Sequence, residues 1–207
     1  MKKILFSLPA ESLATRWASS FIKMNVVYTH LSAYRQYLVR RLSRRKLFEL
    51  RAPQSDVIIA TGHGATDRIA GQKGIILAID EYSDKEVSGK KIYLLSCMAG
   101  QDLAPDLIRK GAKVVYGYSE DFVALINTKY FLTPFNDPAA GDFFKPACTG
   151  MKMLVDGNED YKQIADKQRE EFLRNAERVR TEDPEMAALL SHNADALVCY
   201  TVDGKCS

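Results

Sequence analysis

Short apolar runs that stop abruptly at small residues, separated by helical stretches, constrain this chain more than any other feature. Two of them stand out. Val57-Ile58-Ile59-Ala60 breaks at Thr61-Gly62-His63-Gly64, and Ile92-Tyr93-Leu94-Leu95 breaks at Ser96-Cys97-Met98-Ala99-Gly100. One run delivers a histidine to its end and the other a cysteine. Two neighbouring parallel strands ending this way would hold an imidazole and a thiol over one edge of a sheet, where open α/β sheets place their chemistry. A cysteine needs a nearby base to act as a nucleophile at neutral pH, and histidine is the usual one.

The rest of the chain reads as strands alternating with helices. Lys3–Leu8 reads as a strand, and Ser12–Met24 as a helix capped by Ser12 with Leu13, Trp17, Phe21 and Met24 on one face. Asn25–Thr29 reads as a second strand. Ser32–Lys46 reads as a basic helix, capped by Ser32 with Tyr34, Leu38 and Leu42 on its buried stripe. Asp56–Thr61 is the strand that leads to His63. A turn at Gly71–Gly74 and a hairpin arm at Ile75–Ile79 follow, then a short helix from Asp84. The strand Lys91–Leu95 leads to Cys97, Asp102–Lys110 is helical and closed by Gly111, and Val114–Tyr118 is the next strand. Asn127–Pro146, rich in proline and aromatics, reads as a helix fragment and an ordered loop. Tyr161–Thr181 and Pro184–Asn193 read as helices, the first with Ile164, Gln168, Phe172 and Val179 on a thin stripe. Asp195–Thr201 closes the chain as a strand. This alternation predicts a mostly parallel central sheet covered on both faces, a three-layer α/β sandwich in one domain over residues 1–207. Residues 126–207 form its C-terminal helical part and closing strand.

Composition excludes several classes. The 207 residues are 46% hydrophobic, enough for a real core, and no apolar stretch is long enough to cross a bilayer. The apolar start at Ile4 is too short for a signal-peptide core, so the expectation is a cytoplasmic protein. Four dispersed cysteines (Cys97, Cys148, Cys199 and Cys206) do not make a disulfide scaffold, and no Cys/His spacing points to a metal. Cys199 reads as core, and Cys148 and Cys206 as free thiols, with a terminal Cys199–Cys206 link as an alternative that nothing in the sequence supports. The net charge of +3 is mild, but Arg35–Arg51 carries seven cations against only Glu49. That segment reads as a solvated helix face, with a dock for an acidic partner as its functional alternative.

His63 sits between two glycines, which let backbone approach a substrate closely. Gly64 also leaves a backbone N–H for an oxyanion. Cys97 stands just before a helix, whose N-terminus favours thiolate.

The His-Gly segment Ile58–Gly64 followed by Tyr93–Gly100 resembles the two motifs of caspase-like (clan CD-type) cysteine peptidases, nearest to their gingipain-like and CHAT-like bacterial members. Ala112–Phe122 is similar to the strand that follows the nucleophile there. The resemblance spans residues 3–125 and implies a caspase-like topology and an endopeptidase acting on protein or peptide substrates without a cofactor or metal. It implies His63 as base, Cys97 as nucleophile, and the backbone N–H groups of Gly64 and Cys97 as oxyanion donors. Several relatives with basic specificity carry an acidic residue before the nucleophile, where this chain has Ser96. Asp80, Glu120 and Asp121, with Asp67 and Glu81, are then the candidates for negative charge in a specificity pocket, and Arg68 for preferring an acidic residue.

Other readings compete. A non-catalytic, caspase-like interaction module would keep His63 and Cys97 unused and dock through its basic segment. A glutamine amidotransferase would use Cys97 with His192, which lacks the usual Pro-Glu after it. A cysteine phosphatase needs an arginine close behind the cysteine, and Arg109 stands too far along.

Overall fold

The computed structural model describes residues 2–29 and 34–206. The elements in order are β1 (Lys3–Leu8), α1 (Leu13–Ile22), β2 (Tyr34–Val39), α2 (Arg45–Arg51), β3 (Val57–Thr61), β4 (Gly64–Ala65), β5 (Arg68–Ala70), β6 (Ile75–Ala78), α3 (Asp84–Val87), β7 (Lys91–Leu95), α4 (Leu103–Arg109), β8 (Val114–Tyr118), α5 (Pro138–Asp156), α6 (Tyr161–Val179), α7 (Pro184–Ala196), β9 (Leu197–Thr201) and β10 (Gly204–Lys205). The main sheet runs β10-β9-β8-β7-β3-β1-β2. Its strands from β2 to β8 pair in parallel, and β9 and β10 are antiparallel. A second sheet, β4-β5-β6, is antiparallel throughout.

Alternate residues of each central strand feed two separate cores. Phe6, Ile59, Tyr93 and Tyr116 pack with α1, α5 and α6 on one face. Leu5, Ile58, Leu94 and Val115 pack with α2, α4 and the small sheet on the other. The period of two along a strand separates these sets, and helices on both sides make the three layers. A third cluster joins α6 to α7 through Phe172, Ala176 and Leu190, with Phe143 from α5.

Ser12 caps α1 as expected, its hydroxyl accepting the Thr15 N–H at 3.3 Å. The buried face of α1 is narrower than the sequence suggests. Trp17 and Phe21 are fully buried, but Leu13 and Met24 are each 42% exposed. On α6, Ile164, Gln168, Phe172 and Val179 are the buried stripe. Gln168 is tolerated there because its amide donates to the hydroxyls of Tyr93 and Tyr118 at 2.6 and 2.8 Å.

Three expectations are corrected. Asn25–Thr29 is not a strand. Lys23–Val27 is a π-helical turn continuing α1, because Val26 and Val27 are buried in the core shared with α5. The basic segment is not a helix from residue 32, and its expected cap, Ser32, lies outside the described residues. It is the strand β2, a 3-10 turn at Arg40–Leu42, and then α2. Local helix propensity loses here to the open edge of β1, which β2 covers along its full length from Lys3↔Tyr34 to Leu8↔Val39. Leu42 is 52% exposed rather than buried. Arg40, Arg41, Arg44, Lys46 and Arg51 remain exposed, while Arg45 turns inward to the buried Glu86. Finally, Cys206 is not a free thiol: it forms a disulfide with Cys199 across the β9–β10 hairpin. Cys148 is a free thiol but buried on the core side of α5.

The long helix α5 is absent from the sequence reading, which holds only a helix fragment near Asn127–Pro146. Its N-cap Asp137 accepts the Ala140 N–H at 3.3 Å, and Pro138 occupies its first turn. The same buried carboxylate accepts the indole N–H of Trp17 at 2.9 Å and the Asn127 N–H at 2.8 Å. Asp137 therefore ties α1, α5 and the loop between β8 and α5 together. Among the described residues, no helix is long and apolar enough to cross a membrane.

Candidate functional site

β3 and β7 are adjacent and parallel, paired from Val57↔Lys91 to Thr61↔Leu95. Their ends therefore lie side by side. His63 follows β3 by two residues and Cys97 follows β7 by two, and both line one pocket of about 310 Å³ at that sheet edge. Its remaining walls come from the start of α1, from the extended segment after β8 and from Phe144 of α5.

The two turns interlock. A β-carbon on Gly64 would collide with the Ser96 hydroxyl and the Cys97 carbonyl, and one on Gly62 would collide with the Ala70 carbonyl. Both positions therefore require glycine for close approach rather than for an unusual backbone angle. Behind Cys97, Met98 holds a left-handed φ of 52°, a costly conformation for a side-chain-bearing residue. The turn is fastened to the end of β8: the Met98 N–H donates to the Glu120 carbonyl at 3.0 Å and the Gly100 N–H to the Tyr118 carbonyl at 2.9 Å. Gly100 packs so closely on Tyr118 and Val198 that a side chain there would clash.

His63 is exposed, and its Nε2 shares a hydrogen bond with the Ser12 hydroxyl at 2.9 Å. Cys97 is half-buried, with Sγ 4.0 Å from the Phe122 carbonyl. Burial pushes the Cys97 thiol above its ordinary value. The backbone of Phe122 partly offsets this, and nearby Asp121 adds to the rise. The expected help from a helix N-terminus does not arise, because α4 begins only at Leu103. No hydrogen bond joins His63 to Cys97 among the described residues, and none engages the Cys97 N–H.

The candidates for a charged specificity pocket fall outside it. Asp80, Glu81 and Glu120 are exposed and absent from its lining. Asp67 is half-buried, likewise absent from the lining, and pairs with Arg68. Asp121 is exposed near Cys97 and is not part of the lining either. Ser96 does line the pocket, but its hydroxyl is buried against Gly64 with no partner among the described residues. His192 bonds the Asp121 carbonyl at 2.8 Å rather than reaching the pocket, and Arg109 pairs with Asp106 on α4. These placements remove support from the amidotransferase and phosphatase readings. No group of three metal-ligating side chains occurs among the described residues.

Sequence reasoning missed the walls. Ala14, Thr15 and Ala18 of α1 face the pocket, as do Phe122, Val123, Ala124 and Ile126. Asn193 of α7 pins Val123 from outside. It accepts the Val123 N–H at 3.0 Å and donates to the Val123 carbonyl at 2.7 Å. The readable signal was the apolar run Phe122–Ile126, separated from a buried strand by only Ser119-Glu120-Asp121. Asn193 carried none, being one polar residue near the end of a helix. No family model matches this chain, and no curated protein matches it.

Proposed function

We propose that this chain is a cysteine endopeptidase of caspase-like topology in which His63 and Cys97 form the catalytic dyad. One observation carries the reading: adjacent parallel strands present these two side chains to a single pocket. The strand order, with the histidine and cysteine strands at the centre of the sheet, also supports it.

In the proposed reaction, His63 takes the proton of the Cys97 thiol, and the thiolate attacks the peptide carbonyl carbon. The oxyanion that forms accepts hydrogen bonds from the Gly64 and Cys97 N–H groups. Collapse breaks the C–N bond, and His63 gives its proton to the departing amine. Water, losing a proton to His63, then attacks the thioester. The carboxylic acid leaves and the thiol is restored. The raised Cys97 thiol and the Ser12-bound imidazole describe a resting site, and catalytic hydrogen bonds often tighten only once substrate is bound.

The same two observations favour a second reading, a non-catalytic interaction module. Its basic segment, with Arg40, Arg41, Arg44 and Lys46 exposed, would dock an acidic partner. Cleavage of a peptide library varied at the residue before the scissile bond (P1) separates the two. Turnover by the wild type that is lost in both Cys97→Ala and His63→Ala is expected for the peptidase. No turnover of any library member by the wild type overturns it in favour of the module.

A further inference from the structure

The pocket beside Cys97 has an apolar interior, and its threonine hydroxyls are already engaged. Phe122, Ile126 and Phe144 supply aromatic and aliphatic surface, while Ala14, Ala18 and Ala124 leave room between them. The Thr61 hydroxyl donates to the Leu95 carbonyl at 3.1 Å. The Thr15 hydroxyl donates to the Ser12 carbonyl at 3.1 Å and accepts the Ser12 N–H at 3.0 Å. The Ser96 hydroxyl is sealed against Gly64. No aspartate, glutamate, lysine or arginine contributes to the lining. The nearest arginine on α1, Arg16, instead lies over the Phe131 ring at 4.0 Å.

Resting on the peptidase reading, we propose that this pocket receives the P1 side chain and selects an uncharged apolar one of leucine, methionine or phenylalanine size. A charged P1 residue would lose its water here and find no aspartate, glutamate, lysine or arginine in the lining to pair with, a penalty that grows as the pocket closes around it. An apolar P1 residue removes its own surface and that of Phe122, Ile126 and Phe144 from water together. The alanines set the size limit: a glycine or alanine P1 residue leaves the space between them unfilled.

The test uses the full chain in two formats. First, kcat/KM is measured on substrates differing only at P1. Leucine, methionine or phenylalanine is expected to exceed arginine, lysine, aspartate and glutamate by on the order of 100-fold. Ala14→Asp places a carboxylate in the pocket at an exposed first-turn position of α1, where the helix dipole favours it. It is expected to raise arginine relative to leucine at least about tenfold. Second, Cys97→Ala is titrated with acetyl-leucine amide and acetyl-arginine amide while the methyl resonances of Ala14, Ala18 and Ala124 are followed. Only the leucine compound is expected to shift them.

Efficient cleavage after arginine, lysine or aspartate by the wild type overturns the apolar pocket and leaves the peptidase standing. Selective binding of the leucine compound with no turnover of any substrate overturns the peptidase and leaves the pocket's preference standing. Neither binding nor turnover overturns both.

Discussion

His63 Nε2 lies 2.9 Å from the hydroxyl of Ser12, the same hydroxyl that caps α1. The imidazole proposed as the base is thus held by the start of the helix that forms one wall of the pocket. Ser12→Ala removes the cap and the tether together, and a loss of about 1 kcal/mol is expected from the cap alone. A double-mutant cycle with His63→Ala, read by urea denaturation, should return a further coupling of about 1 kcal/mol for the hydrogen bond. A coupling indistinguishable from zero would mean that the two side chains do not hold one another in solution.

Cys97 should behave as a sluggish thiol in the substrate-free protein. Burial and Asp121 raise it above its ordinary value, so at neutral pH it is more fully protonated than a free cysteine. Alkylation by iodoacetamide should therefore be slower at pH 7 than for an unstructured cysteine peptide and should still be rising where the peptide has levelled off. Asp121→Asn should speed it at neutral pH. A midpoint at or below that of the free peptide would contradict a thiol raised by burial, and an unchanged rate in Asp121→Asn would contradict the placement of Asp121 beside it.

Asn193 holds the pocket wall at a distance from the dyad. Asn193→Ala leaves both the N–H and the carbonyl of Val123 without their side-chain partner. A stability loss of roughly 2 kcal/mol is expected. Under the proposed function KM should rise more than kcat falls, because the wall moves and the reacting groups do not. Unfolding midpoints and steady-state kinetics on one preparation check both. A change confined to kcat would show that Asn193 acts on the dyad instead.

Glu86 and Arg45 make the fold sensitive to acid. Burial pushes the Glu86 carboxyl up, but hydrogen bonds from Arg45 and the Ser83 N–H outweigh it, and the group ends below its ordinary range. A carboxylate with a depressed folded value lends stability that is complete above its unfolded value and is lost as pH falls through the depressed one. Arg45→Ala strands a buried charge, and because the guanidinium is partly solvated the cost should be roughly 2 kcal/mol at pH 7. Urea midpoints between pH 3 and 7 should show the gap between wild type and variant narrowing as pH falls. A constant gap would mean that the pair contributes nothing through its charge.

The central strands were readable in the sequence because residues buried on both faces leave unbroken apolar runs, as at Ile58–Ala60 and Ile92–Leu95. The same runs located the turns that carry His63 and Cys97. The edge was not readable. β2 is a strand because β1 needs a partner, a fact of the assembled sheet that Arg40, Arg41 and Leu42 do not encode locally. α5 was hidden for a related reason. Gly141, Pro146 and Gly150 interrupt any helical periodicity, yet all three are buried, and Gly150 lets α5 sit close to Gln168 of α6. Asp80, Glu120 and Asp121 stay outside the pocket's lining, because a carboxylate's position in the chain does not say whether it faces inward.

The bond between Trp17 and Asp137 makes the chain's single tryptophan an optical gauge. Its indole is fully buried one residue from Ala18 of the pocket wall and tied to the cap of α5. Emission from this protein therefore reports one place, the seam where α1 meets α5. A red shift signals that seam parting, and a change in intensity on adding a peptide signals the pocket filling, with no label required.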